Sequence, residues 1–251
     1  MCIIVYKPAG KPLPKKETLK QCYDNNPDGA GFMTVKDNKV IISKGYDDFD
    51  KFYKTISRIS KKRPIVMHFR ISTQGGVSKE LTHPYPLCQN YDKMRKLQCV
   101  TGIGIAHNGI ISLTSSAYAK DYNDTMTFIK EYASLIIKDD NIHTDKTAQV
   151  LLQKLCKSKL CIMSKSGVTM IGDFIEDDGI FYSNDTYKPY KYTYNGYKND
   201  DAYYEQFKHN GTYYFYPNYW ECPNIYNKSK RAKYCRDCLC KNTCESEYKT
   251  Q

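Results

Sequence analysis

The order of hydrophobic periods constrains this chain most. Short apolar or alternating runs stand at 2–6 (CIIVY), at FMTV and KVIIS on either side of Asp37-Asn38, at PIVMHFR from Pro64, and at GIGIAHNG. These predict strands, the second and third joined as a hairpin. Phe49, Phe52, Tyr53, Ile56 and Ile59 recur at helical spacing, which predicts an amphipathic helix over 48–60. Two more helices are expected in succession, over 125–137 and 144–156. Asp124 is the candidate N-cap of the first, and Leu151, Leu152 and Leu155 form the apolar face of the second. LCIMSKSGVTMIGDF then reads as a hairpin turning at Ser166-Gly167, and GIFYSN as a further strand. Strands, two consecutive helices and strands again suit sheets packed together with helices outside, rather than an alternating parallel fold.

A chain of 251 residues with 41% hydrophobic content holds one domain, or one domain with a small appendage, and can build a core without disulfide staples. No apolar stretch is long enough to span a bilayer. The opening apolar run ends at Tyr6, and Lys7, Pro8, Lys11 and Pro14-Lys15-Lys16 interrupt the next ten residues, which does not suit a signal peptide. A cytoplasmic protein is therefore expected, its 11 cysteines reduced, metal-bound or catalytic. The net charge of +11 fits a nucleic-acid partner, but the lysines are dispersed. Heavy use of Lys, Asn, Ile and Tyr also follows from AT-rich coding, and charge alone argues for association rather than for a specific activity. Thirteen of the 24 tyrosines lie between Tyr182 and Tyr226, among few aliphatic residues. This change of character divides the chain near residue 185, into 1–185 and a tail of 186–251.

Four stretches carry chemistry. Cys2 follows the initiator methionine, and methionine before so small a residue is normally removed. The freed α-amine has a reference pKa of about 7.7–8.0 and can take a proton from the thiol of its own residue. The plainer reading of Cys2 is a small half-buried hydrophobe at a strand end. HFRISTQGG (68–76) supplies Arg70, Thr73 and Gln74 at the end of a strand, suited either to gripping a carboxylate or to a surface ion pair. In AHNGII (106–111), Asn108 and the Gly109 N–H are either an oxyanion-binding donor pair or a hairpin turn. Asp124, in NDT (123–125), is a carboxylate able to accept an ammonium group, a helix cap, or both.

Taken in order, MCI, PDGAG, HFRISTQG, HPYP, AHNGII and NDT resemble the class II glutamine amidotransferases, a branch of the N-terminal nucleophile hydrolases. The resemblance covers roughly residues 1–185. It implies an α+β fold, a four-layer α/β/β/α sandwich of two antiparallel sheets. It also implies that Cys2 attacks the side-chain amide of glutamine, with its own α-amine as base and then acid. Asn108 and Gly109 would form the oxyanion hole. Arg70 would hold the α-carboxylate, with Thr73 and Gln74 beside it, and Asp124 would accept the α-ammonium. A thioester on Cys2 would form, and water would release glutamate. The chain departs from the family at Ile3, where glycine is usual and a side chain is expected to bear on the approach to the nucleophile, and at Gln74, where many members have histidine. It also lacks a familiar synthase part, so ammonia would pass to a separate partner, or the protein is a plain glutaminase, or it cleaves another amide.

The tail poses its own question. Cys235-x-x-Cys238 has metal-ligand spacing, and Cys222 and Cys244 complete a thiolate set for structural zinc, with Cys240 a competing fourth ligand. An iron–sulfur cluster or free thiols are the alternatives. The tyrosines, interleaved with Lys188, Lys191 and Lys198, either pack on one another or stack on the bases of a nucleic acid.

Overall fold

The computed structural model describes residues 2–71, 78–113 and 121–188, together with the backbone of 206–209 and 212–215. It divides into two compact units, Met1–Lys191 and Tyr192–Gln251. In the second unit, Gln206–His209 and Thr212–Phe215 pair as a two-stranded antiparallel ribbon.

The first unit is a mixed α/β structure with two antiparallel sheets. Its strands are β1 (Ile3–Lys7), β2 (Ala30–Lys36), β3 (Lys39–Tyr46), β4 (Ile65–Phe69), β5 (Tyr85–Pro86), β6 (Gln98–Thr101), β7 (Ile103–Asn108), β8 (Lys159–Ser164), β9 (Gly167–Ile171), β10 (Ile175–Asp177) and β11 (Ile180–Tyr182). One sheet has the order β10-β11-β1-β4-β2-β3-β6, and the other β5-β7-β8-β9. Between the strands run α1 (Lys16–Asn25), α2 (Phe49–Ile56), α3 (Tyr91–Arg95), α4 (Asp124–Phe128), α5 (Ser134–Ile136) and α6 (Lys146–Cys156), with a π-helical turn at Ile129–Ala133 joining α4 to α5.

Alternation along the strands decides what each face buries. Ile3 and Val5 of β1, with Ile65, Met67 and Phe69 of β4, pack with Leu19 and Cys22 of α1 and Phe49, Phe52 and Ile56 of α2. The intervening Ile4 and Val66 turn the other way, into a cluster with Met33, Val40, Ile42, and Ala106, Cys161 and Met163 of the second sheet. Ile103, Ile105, Leu160 and Ile162 face away from that cluster and pack with Met126, Phe128 and Leu152 of α4 and α6.

Local chemistry sets the boundaries. Asp37 and Asn38 both take positive φ, 50° and 58°, as a two-residue type I′ turn requires. The Asp48 carboxylate caps α2 by accepting from the Lys51 N–H. That helix ends at Ile56 rather than continuing to 60. The cap of α4 is Asn123, whose side chain accepts from the Met126 N–H, and Asp124 is the first helical residue instead. The β8–β9 hairpin turns at Lys165-Ser166, one residue earlier than expected, because Ser164 pairs with Gly167. On α6, Leu152 is buried, but Leu151 is 45% exposed and does not belong to the core face.

Close approach of the sheets to the chain around β5 depends on Gly31. A Cβ there would lie 2.2 Å from the His83 carbonyl oxygen, a backbone atom that cannot step aside. Gly102, by contrast, has nothing within 4 Å of its Cβ position. Gly31→Ala is expected to destabilise the fold by about 2–4 kcal/mol, and Gly102→Ala to shift it by about 0.5 kcal/mol or less, as read from urea unfolding midpoints. Equal effects at the two positions would refute this account of the packing.

Candidate functional site

Strand parity aims three side chains at one place. Ile4, His68 and Ala106 occupy the face between the sheets, and two residues further along each strand stand Cys2, Arg70 and Asn108. Ile3 pairs with Phe69, so Cys2 and Arg70 flank one another at the strand ends. The cleft there is lined by Cys2, Arg70, His83, His107, Gly109 and Asp124, among others, and encloses about 410 Å³, part of it open to solvent.

The Cys2 thiol is half-buried, and its Sγ accepts from the Ile71 N–H at 3.4 Å. Burial pushes its pKa up, against the opposing pull of that N–H and of the Arg70 charge. The thiol therefore stays protonated at neutral pH unless a base takes the proton. Asn184 Nδ2 donates to the Cys2 carbonyl at 2.7 Å and holds the start of the strand. Ile3 does not bear on the cleft: it is fully buried on the opposite face, against α1 and α2.

Arg70 is buried at the end of β4. Its N–H donates to the Gly29 carbonyl and its own carbonyl accepts from the Asp28 N–H, both at 2.9 Å. The PDGAG turn thus fixes the backbone behind the guanidinium. Asp124 turns its carboxylate to the cleft, accepting from the Ile111 N–H at 2.8 Å and the Thr125 N–H at 2.7 Å.

Gly109 has φ +141°, and a Cβ there would meet the Ser158 Cβ at 2.6 Å. Asn108 is buried beside it. Its Nδ2 donates to Ser183 Oγ at 2.9 Å, while Oδ1 has no partner among the described residues. Ser183 Oγ already accepts from the Ile4 N–H at 2.8 Å. A side-chain amide can turn about its last bond and exchange these two atoms. In the turned orientation Ser183 donates its hydroxyl proton to Oδ1, and Nδ2 takes the place of the unpartnered atom.

Three histidines that carried no assigned role lie under the cleft. His68 and His83 stack at 4.3 Å between ring centroids, and His83 lies 6.2 Å from His107. His68 Nε2 and His83 Nδ1 each contact the His107 carbonyl oxygen at 3.0 Å. His107 is held through Nδ1 by Thr125 Oγ1 at 2.8 Å and through Nε2 by Ser158 Oγ at 2.7 Å. HFRISTQG, HPYP and AHNGII each contain one of these rings. Ser183 and Asn184 gave no such signal, because their contacts with the start of β1 span the whole unit.

Thr73 and Gln74 lie outside the described residues, as do Cys222, Cys235, Cys238, Cys240 and Cys244. Among the described residues no group of three or more His, Cys, Asp or Glu side chains is arranged to hold a metal, and no helix is long and apolar enough to cross a membrane. No protein-family model matches this chain, and no curated protein matches it.

The imidazole cluster makes stability depend on pH. Burial holds His68 down to about 3 and His107 to about 4, and lowers His83 well below its ordinary value. Above about pH 6.5 neither the folded nor the unfolded chain protonates these rings. Below it the unfolded chain takes up protons that the folded one refuses, so stability falls, by about 1.4 kcal/mol per pH unit for each ring until its folded pKa is reached. At pH 5, His68 and His107 together account for a loss of about 4 kcal/mol. Urea unfolding at pH 7 and pH 5 measures this, and His107→Gln is expected to make the slope shallower. A flat profile would show that the rings titrate in the folded protein as they do in the unfolded chain, and would refute their burial in the neutral form.

Proposed function

We propose that this protein is a glutamine amidotransferase-like amidase that acts through Cys2. The observation that supports it most is the sharing of one cleft by the Cys2 thiol, the Arg70 guanidinium and the Asp124 carboxylate. A thiol beside one anion clamp and one cation acceptor suits a free α-amino acid that carries a reactive amide. The finer architecture belongs to the same reading. Three hydrophobic clusters, two with helices against a sheet and a third between the sheets, support reading it as a four-layer α/β/β/α sandwich.

In this reading Met1 is removed, and the α-amine of Cys2 accepts the thiol proton that burial otherwise keeps in place. The thiolate adds to the side-chain carbonyl carbon of glutamine. The Gly109 N–H and the turned Asn108 amide take up the negative charge that develops on oxygen. The α-ammonium returns the proton to the departing nitrogen, ammonia leaves, and a thioester to Cys2 remains. Water adds to the thioester and releases glutamate, so that glutamine and water give glutamate and ammonia. Ammonia then serves a separate acceptor enzyme.

Intact mass spectrometry of the purified protein, with and without an electrophilic glutamine analogue, tests this directly. The expected result is loss of Met1 and a single adduct on Cys2. Cys2→Ala is expected to abolish glutamate release with no change in unfolding midpoint. Arg70→Lys is expected to raise KM at least about tenfold, since a lysine cannot form the bidentate pair. Retained Met1, or glutamate release that survives Cys2→Ala, would exclude this chemistry. Turnover of simple acyl amides in preference to glutamine would assign the cleft to another amide.

A further inference from the structure

The end of the large sheet remote from the cleft carries a different chemistry. Antiparallel order brings together the end of β1, the start of β4, the end of β2 and the start of β3. Segment 58–63, RISKKR, enters β4 at that end. It belongs to the stretch 51–79, which holds eight Lys and Arg residues and no Asp or Glu.

This segment is pinned in place. Lys7 is almost fully buried, and its Nζ donates to the carbonyls of Lys61 at 2.7 Å and Arg63 at 2.6 Å. The Gly10 N–H also donates to the Lys61 carbonyl, and Arg63 Nε donates to the Val35 carbonyl at 2.6 Å. Thr34 Oγ1 donates to the Pro64 carbonyl at 2.7 Å. From this fixed backbone Lys11, Lys36, Lys39, Lys61 and Lys62 are exposed, and Arg63 partly so.

None of these six makes an ion pair among the described residues, although Lys16, Lys20, Lys79, Arg95 and Lys165 elsewhere do. Three carboxylates are near: Asp37, in the turn between Lys36 and Lys39, and Asp177 and Asp178, at the β10–β11 turn whose Gly179 lies against the Lys11 side chain. Six cations against three anions leave a positive surface whose backbone is ordered before anything binds, which lowers the entropic penalty of association.

The chemistry of the partner is set by the side chains this surface lacks. Exposed large apolar side chains among the described residues belong to β6 and the residue before it, the loop after β7, α5 and α6; segment 58–63 and the 36–39 turn hold none, and Val100, opposite Ile41, stands alone beside them. A protein partner needs an apolar centre to its interface, and an inserting membrane contact needs apolar side chains. A nucleic acid needs neither, because its closely spaced phosphates meet the lysines directly. We propose that this end of the sheet is a nucleic-acid-binding platform that grips the phosphate backbone without reading bases. It is independent of the amidase reading.

Fluorescence anisotropy of the full chain with labelled single-stranded and duplex oligonucleotides of mixed sequence tests it. If about four cations engage phosphates, raising salt from about 50 to 200 mM weakens binding about a hundredfold. Lys61→Glu with Lys62→Glu is expected to lower affinity at least about tenfold and to reduce the salt slope by about two. Lys36→Gln with Lys39→Gln is expected to act in the same direction. Lys138→Glu with Lys154→Glu, an equal change of charge just after α5 and on α6, is expected to leave affinity within about twofold. Binding unaffected by the changes at Lys61 and Lys62 would overturn the proposal and place the contact elsewhere, the tail included. Binding to vesicles containing phosphatidylserine but not to oligonucleotides would overturn it as well.

Discussion

The pairing of β1 with β4 is the constraint on which the site depends. With Ile3 opposite Phe69, Cys2 and Arg70 fall on the same face at adjoining strand ends. A slip of β1 by one residue would send Cys2 toward the helices and Ile3 into the cleft. Two sets of contacts oppose that slip. Ile3 and Val5 fill the cluster against α1 and α2 while Ile4 fills the one between the sheets. On the other edge of β1, Ser183 accepts from the Ile4 N–H through its hydroxyl and donates its own N–H to the Ile4 carbonyl. Register is thus fixed by packing on two faces and by hydrogen bonds from the residue after β11, and the nucleophile is placed by groups that do no chemistry themselves.

The surroundings of the cleft hold several basic groups at depth, and burial governs which of them carry charge. Lys44 is 3% exposed, donates to the carbonyls of Glu80 at 2.8 Å and Met94 at 2.6 Å, and lies 4.0 Å from the centre of the Tyr85 ring. Burial pushes its pKa well down. The same ring anchors the helix that carries Asp124. Tyr85 Oη accepts from Asn123 Nδ2 at 2.8 Å and donates to the Leu81 carbonyl at 2.7 Å, while Asn123 caps α4. With the three imidazoles kept neutral, Arg70 is the cation that faces the cleft, and an anion there meets a fixed charge in a setting of reduced solvent screening.

Legibility in the sequence followed the range of the interactions involved. β1, the β2–β3 hairpin, β4, β7 and the β8–β9 hairpin are readable because alternation and turn residues are local signals. α1 was missed: only Leu19, Cys22 and Tyr23 mark its buried face, at spacing i, i+3, i+4, among charged residues and behind two prolines. α3 and the two-residue β5 are too short to show a period, and Asn90 caps α3 within a stretch that otherwise reads as loop. At the site, Cys2, Arg70, Gly109 and Asp124 were named from short motifs. The meeting of His68, His83 and His107 was not legible, because it requires two strands and a residue just before β5 to converge. The cap at Asn123 rather than Asp124 also depends on a tertiary contact. Once Asn123 binds Tyr85 and the Met126 N–H, Asp124 can turn inward and hold the Ile111 N–H.

An antiparallel sheet has two ends, and the same strands can serve different chemistry at each. β1 and β4 are five residues long, which at about 3.3 Å per residue separates Cys2 and Arg70 from Lys61 and Lys62 by about 16 Å. That is about two Debye lengths at physiological ionic strength, so surface charge at one end is largely screened from a ligand at the other. The buried Lys7 and the buried Arg70 mark the two ends of this pairing and satisfy different demands. Lys7 spends its donors on the carbonyls of the chain that enters β4, and so fixes a loop of exposed cations. Arg70 has its backbone fixed by the 27–31 turn, which sets the point from which the guanidinium reaches the cleft. One strand pair can therefore present a mobile-ion-accessible cationic surface and a recessed charged cleft without either perturbing the other.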